Sequence, residues 1–355
     1  MIINGGGILP SESDLERHIN KLMVRKIIKT DNHLSEEIAQ NFINDSYNNN
    51  SYLERIDSEN NKNWRGYTSN YIFSFKYKTD NIEGKKIRVK DLDEGIDELK
   101  ENDVFISKIF KNTYVVKKDA LSNPSFVDTF ILPDLNFICI IGSKDYFEIP
   151  EEDIKKFLNK NNVDFNEINI CHDFLLWVLW KLSQGENIST KISLESFEDL
   201  RVGLNVQGPR EFDNSPTSIT ARGSENEIPS LPICYGLFNN KSLNHLKGEF
   251  KYNEDNKFIL QIDITREDGT EKSTIHLHSN GCLEGLHYSE KLQLALPFLY
   301  NLSESIYQWE TYDNPEKYPS VDYLDELLNN AKEEFDETLE SFNEYRNDYL
   351  QKIKE

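Results

Sequence analysis

Along the chain the spacing of apolar residues changes period several times, and each change predicts a change of element. SESDLERHINKLMVRKII, from Ser11, places Leu15, Ile19, Leu22, Met23 and Ile27 at helical spacing, with Ser11 or Ser13 available as N-cap. SEEIAQNFIND, after Leu34, repeats that pattern more briefly, and SYNNNSYLERIDSENNKN reads as a polar loop. From Asn70 the period shortens to two. NYIFSFKYK and KKIRVK, joined by a turn over Thr79 to Gly84, predict a β-hairpin. DLDEGIDELKEND reads as a short helix or turn. VFISKIF, TYVVKK, TFILP and NFICIIG predict four more strands, and IPEEDIKKFLNKNN a helix with Pro150 in its first turn.

The second half begins with CHDFLLWVLWKLSQG. Its spacing predicts a helix that Asp173 caps and Gly185 ends. Phe174 to Trp180 is apolar all round, so this helix is expected to be buried on most sides, at a seam between two halves. KISLESFEDLRVGLNVQG predicts two strands, and PREFDNSPTSITARGSENEIPSLP a long irregular loop. HLKGEFKY, KFILQIDIT, KSTIHLH and CLEGLH predict a four-stranded antiparallel meander, with Phe258, Leu260, Ile262 and Ile264 on one face. A helix from about Glu290 to Ser305 follows, with Leu292, Leu296, Leu299 and Leu302 apolar and Pro297 inside it. Thr129 to Asn161 and Ser273 to Ser305 share one plan of strand, tight turn, strand, loop and helix. The last stretch, from Val321, predicts a long helix of roughly 50 Å. In it Leu328, Phe335, Phe342 and Tyr349 recur every seven residues, with Leu324, Ala331, Leu339 and Ile353 beside them.

These elements predict an α+β fold with two antiparallel-sheet units and packed helices. Its expected parts are a helical N-terminal segment over residues 1–66, a first α+β unit over 67–165, a second with the meander over 166–312, and a long acidic helix over 313–355.

Composition narrows the functional classes. The chain has 355 residues, 37% hydrophobic and 12% aromatic, enough for sizeable cores. It carries a formal net charge of −22, which opposes nucleic-acid backbones and anionic membranes as a whole and suits a basic partner. From Glu304 to Glu355 there are 15 acidic against 5 basic residues, nearly half of the imbalance. No 18-residue apolar run predicts a membrane span, and MIINGGGILPSESD lacks the pattern of a secretory signal. Cys139, Cys171, Cys234 and Cys282 lie far apart with no C-x-x-C, as in a reducing compartment, so a cytoplasmic location is expected. Lysine outnumbers arginine 30 to 10 and asparagine is abundant, which reads as the coding bias of a prokaryotic or viral genome.

The chemistry on offer is sparse. TIHLHSNGCLEGLHYSEK gathers His276, His278, Cys282 and His287 within twelve residues. With Asn280–Gly281 as a two-residue loop, the three histidines share a face. With Ser279–Asn280–Gly281 as the loop, His276, His278, Cys282 and Glu284 do. Either set matches zinc by ligand type but not by any metal-motif spacing. The plainer alternative is a strand with a polar face, Ile275 and Leu277 pointing to the core. Cys171–His172 could be a thiol–imidazole dyad, but side chains adjacent in sequence diverge, and a helix start accounts for them. NGGG at Asn4 lacks the Lys-Ser/Thr of a phosphate loop, and no motif of a hydrolase, kinase or dinucleotide enzyme occurs, so no cofactor is expected. Lys76, Lys78, Lys85, Lys86, Arg88 and Lys90, interleaved with Tyr71 and Tyr77, form a basic hairpin that suits single-stranded nucleic acid, or simply guards an edge strand.

The expected function is a non-catalytic binding or assembly protein of a prokaryotic or viral system, in genome defence or counter-defence. Leu328, Phe335, Phe342 and Tyr349 of the acidic helix would pair with a protein partner or a second copy. The alternatives are nucleic-acid contact through the lysine hairpin, and a metal-dependent hydrolase at the histidine stretch.

Overall fold

A computed structural model describes residues 21–31, 34–48, 55–57, 62–68, 72–77, 82–87, 110–117, 125–142, 148–205, 219–226, 231–238, 241–253, 256–267, 270–286, 288–311, 319 and 321–354. In chain order the elements are β1 (Lys21–Thr30), α1 (Glu36–Asn48), β2 (Arg55–Asp57), β3 (Lys62–Thr68), β4 (Ile72–Tyr77), β5 (Ile82–Ile87), β6 (Phe110–Lys117), β7 (Ser125–Leu132), β8 (Phe137–Gly142), α2 (Glu148–Lys160), β9 (Phe165–Ile168), α3 (His172–Ser183), β10 (Ile192–Asn205), β11 (Ile219–Asn226), α4 (Leu231–Phe238), β12 (Lys241–Tyr252), β13 (Asn256–Glu267), β14 (Thr270–Gly281), α5 (Tyr288–Thr311) and α6 (Val321–Lys354). The content is mixed helix and antiparallel sheet. Two units divide the chain. Unit 1 takes Met1–Asn169, Tyr252–Ile259 and Ser273–Tyr307, and unit 2 takes Ile170–Lys251, Leu260–Lys272 and Gln308–Glu355.

Unit 1 is organised on β1. One side of β1 pairs antiparallel with β8. The other pairs first with β14, from Lys21 opposite His278 to Val24 opposite Ile275, and then with β9. Beyond β8 the order continues β7, β6, β3, β2, while β4 and β5 form a separate hairpin. Here the expectation of a helical N-terminal segment fails. Lys21–Thr30 is a strand, and among the described residues of 21–68 only α1 is helical. Leu22, Met23 and Ile27 fit a helical stripe, but Leu22, Val24, Lys26, Ile28 and Thr30 also alternate, and all five are buried. Both faces of the strand are covered, so Ile27 is buried too and blurs the period of two.

On one face Ile28, Val127, Ile131, Ile138 and Ile140 pack with Ala39 and Phe42 of α1 and Ile154, Phe157 and Leu158 of α2. Phe42 and Phe157 meet edge to face at 5.0 Å. On the other face lies α5. Tyr300 packs edge-on to Phe137 at 5.7 Å, and Phe298 stacks on Phe258 at 4.4 Å. The buried Tyr288 hydroxyl donates to Asp128 at 2.5 Å, and Lys29 reaches Glu304 at 2.6 Å while lying over the Tyr307 ring.

One charged residue points into the α2 face of β1. Lys26 is buried, and its ammonium pairs with Glu167 and, at 3.5 Å, with Glu151. Lys155 joins the same two carboxylates, at 2.7 Å to Glu151. Burial alone would raise the pKa of Glu167, but hydrogen bonds from Lys155 and Lys26 outweigh it and hold the carboxyl below its ordinary value. Lys155 shows the counterpart. Burial works against its charge, and hydrogen bonds to Glu151 and Glu167 outweigh that and raise it. A carboxyl with a lowered native pKa adds stability above its unfolded pKa of about 4.3, and that share is lost as pH falls through the lower native value. Urea midpoints measured between about pH 6 and 3 should therefore fall less steeply on acidification in Glu167→Gln than in the parent.

In unit 2 the sheet order is β11, β10, β12, β13. KISLESFEDLRVGLNVQG, expected as two strands, is mostly the single strand β10, and the expected long loop contains β11. Two glycines let β10 and β12 approach. A Cβ on Gly248 would stand 2.4 Å from the Ser196 carbonyl oxygen, and one on Gly203 would stand 2.1 Å from the Asn244 amide nitrogen. α3 is buried through Phe174, Leu175, Trp177, Val178, Leu179 and Leu182, and Phe174 meets Trp309 edge to face at 5.4 Å. Its N-cap is Cys171 without a side-chain bond, so Asp173 sits in the first turn, where its charge suits the helix dipole. Gly248→Ala must push backbone rather than a flexible side chain. We expect a loss of about 1–3 kcal/mol, read from urea unfolding.

Candidate functional site

The helix α6 carries two runs of apolar residues, and unit 2 uses one of them. Tyr323, Leu327 and Ala331, spaced by four, pack with Cys234 of α4 and with Leu176 and Trp180 of α3. Burial pushes the Cys234 thiol up to about 11 and the Tyr323 phenol above its usual range, as befits groups in a dry seam. The other run is exposed. Leu324, Leu328, Phe335, Leu339, Phe342 and Tyr345 are exposed, Phe335 at 54% and Phe342 at 60%. Every residue from Lys332 to Asn347 is exposed among the described residues.

Of the partner-binding residues expected from sequence, Leu328, Phe335 and Phe342 lie together on this exposed run. Tyr349 continues the helix, but its side chain falls outside the described residues.

The histidine stretch folds differently from either hairpin considered. β14 runs unbroken to Gly281, which takes φ +71, and the Cys282 N–H donates to the Lys257 carbonyl at 2.8 Å. Cys282 to Gly285 is a turn leading into α5, so CLEGLH is not a strand, and the second half of the expected internal echo lacks its second strand. His276 is buried opposite Met23, and His278 is half-buried opposite Lys21. Ile275 and Leu277 are in the core. Burial pushes the Cys282 thiol up to about 12. His287 lies outside the described residues. Among the described residues no three His, Cys, Asp or Glu side chains stand together so as to hold a metal ion.

Cys171 and His172 do not form an activated pair. Burial raises the Cys171 thiol, and burial lowers the His172 imidazole, whose Nδ1 accepts the Leu243 N–H at 2.7 Å. In the lysine hairpin the backbone register sets Phe73 opposite Lys86, Ser74 opposite Lys85 and Lys76 opposite Glu83. Gly84 therefore belongs to a strand and not to the turn. The side chains of Lys76, Lys85 and Lys86, and all of Lys78, Arg88 and Lys90, lie outside what is described.

One polar cluster has no precursor in the sequence reading. His245 on β12 is 3% exposed and stands between two aspartates. Its Nδ1 lies 2.6 Å from Asp263 Oδ1 on β13, and its Nε2 3.5 Å from Asp199 Oδ2 on β10. Arg201 reaches Asp199 at 3.1 Å, and the Gln261 amide donates to Asp263 at 2.7 Å. The Asp263 carboxylate makes Nδ1 the donor, and the aspartates' own partners complete the network. Three residues on three strands, from 199 to 263, leave no local motif; only strand order brings them together. The cluster works as a polar tie across the sheet. His245→Ala leaves two carboxylates facing each other without the imidazole and should cost about 2–4 kcal/mol by urea unfolding, while the cationic replacement His245→Lys should not restore it because the ammonium has no planar Nδ1–H.

No protein-family model matches the chain, and none of the curated proteins matches it in sequence. Function therefore has to be read from the surface itself. Among the described residues no helix is long and apolar enough to cross a membrane.

Proposed function

We propose that the protein is a non-catalytic association protein, and that α6 beyond Ala331 is the surface that seats another helix. The observation that carries this is the run from Lys332 to Asn347, fully exposed while holding Phe335, Leu339, Phe342 and Tyr345 on one stripe. A helix that only decorates the surface gains nothing from aromatic residues at seven-residue spacing. Burying a Phe or Leu side chain is worth about 1.5–3 kcal/mol, so the stripe holds an unused association energy of that order per residue.

The test uses exposed side chains that lie outside the core of unit 2. In Phe335→Ser, Leu339→Ser and Phe342→Ser combined, the thermal midpoint should stay within a few degrees of the parent. Sedimentation velocity of the full chain, alone and with a synthetic basic amphipathic helix, should show association for the parent and none for the triple variant. If the variant associates as the parent does, or if the parent associates with neither, the reading is wrong. A chain cut near Asn314 is a poorer probe, because it also removes Tyr323, Leu327 and Ala331 from the core of unit 2.

A further inference from the structure

We infer that the helix seated on α6 is α6 of a second copy, in a parallel, in-register two-stranded coiled coil; this rests on the association reading above. The argument is the placement of charge around the stripe. Written as heptads, Leu328, Phe335 and Phe342 occupy the first core position, and Thr338 and Tyr345 the second; Ala331, one heptad earlier, is already packed into unit 2. From Lys332 to Asn347 the acidic residues are Glu333, Glu334, Asp336, Glu337, Glu340 and Glu344. All except Glu334 fall on the three heptad positions that face away from the seam of a two-stranded coil. The positions that flank the seam carry Lys332, Glu334, Leu339, Ser341 and Arg346.

Parallel pairing sets each flanking residue against the one five places later in the other copy. Glu334 then meets Leu339, and Ser341 meets Arg346, so no like charges touch. An antiparallel pairing centred on Leu339 would set Lys332 against Arg346, two cations at the seam rim. A strongly basic partner is the weaker fit, because most carboxylates point away from where it would sit. Length agrees: beyond the turns docked on unit 2, Lys332–Lys354 spans about three heptads, which a coiled coil needs. Every residue from Lys332 to Asn347 is exposed among the described residues and so is open to a second strand.

The outward carboxylates of two copies still repel through solvent. Salt screens that repulsion, and should strengthen the dimer, whereas it would weaken a complex with a basic partner. The full-length chain should sediment as a concentration-dependent dimer, with a Kd that falls several-fold between about 0.05 and 0.5 M salt. Phe335→Ser with Phe342→Ser should raise the Kd by about 100-fold or more. Mild oxidation should cross-link Thr338→Cys, at a core position, but not Asn343→Cys, on the outer face. A dimer that survives the double serine variant, or that cross-links through residue 343 as well as 338, overturns the inference. So does a parent that stays monomeric at every salt concentration. In that last case, binding of the basic helical peptide, lost in the serine variant, keeps the association reading and removes only the second copy. Absence of peptide binding removes both.

Discussion

The first three turns of α6 are held by one contact, the docking of Tyr323, Leu327 and Ala331 against Leu176, Trp180 and Cys234. That contact fixes the rotation of the helix about its own axis. Tyr323, Leu327 and Ala331 fill the core of unit 2, while Leu328, Phe335 and Phe342 on the same helix stay exposed. The exposed stripe beyond Ala331 thus inherits its orientation from the turns that complete the core of unit 2.

Unit 1 shows the same logic in a sheet. A strand covered on both faces must be apolar at almost every position or must pair whatever is not. β1 does the second at Lys26, where two glutamates and a second lysine surround the ammonium. Its neighbour Arg25, on the opposite face, donates to Thr274 at 2.6 Å. Charged residues that look like solvent-facing positions in the sequence are therefore interior ties, each with its partner more than a hundred residues away in several cases.

Much of the element list was legible because local rules suffice for it. The strands at Ser125–Leu132 and Phe137–Gly142, the hairpin of Ile72–Tyr77 with Ile82–Ile87, the helix with two tryptophans and the last long helix all follow from period and end signals. The failures share one cause. Lys21–Thr30 satisfied two periods at once, and only the strands on either side of it decided between them. SNG before Cys282 has the composition of a hairpin turn, yet Gly281 uses its positive φ to leave the strand toward a helix, with the Cys282 N–H bonded to Lys257. Composition set the backbone freedom there; the destination of the chain came from elsewhere.

The sequence by itself determined an antiparallel α+β protein, the heptad stripe of Leu328, Phe335 and Phe342, and the outward placement of its acid residues, because periodicity is a property of neighbours along the chain. Only the tertiary structure decided that the stripe stays exposed, that His276 and His278 are taken up into a strand and Cys282 into a turn, and that His245 meets Asp199 and Asp263. Those outcomes depend on which strands lie side by side and which helical face finds a core to fill, and side-by-side placement of residues far apart in sequence is set by burial and packing over the whole fold.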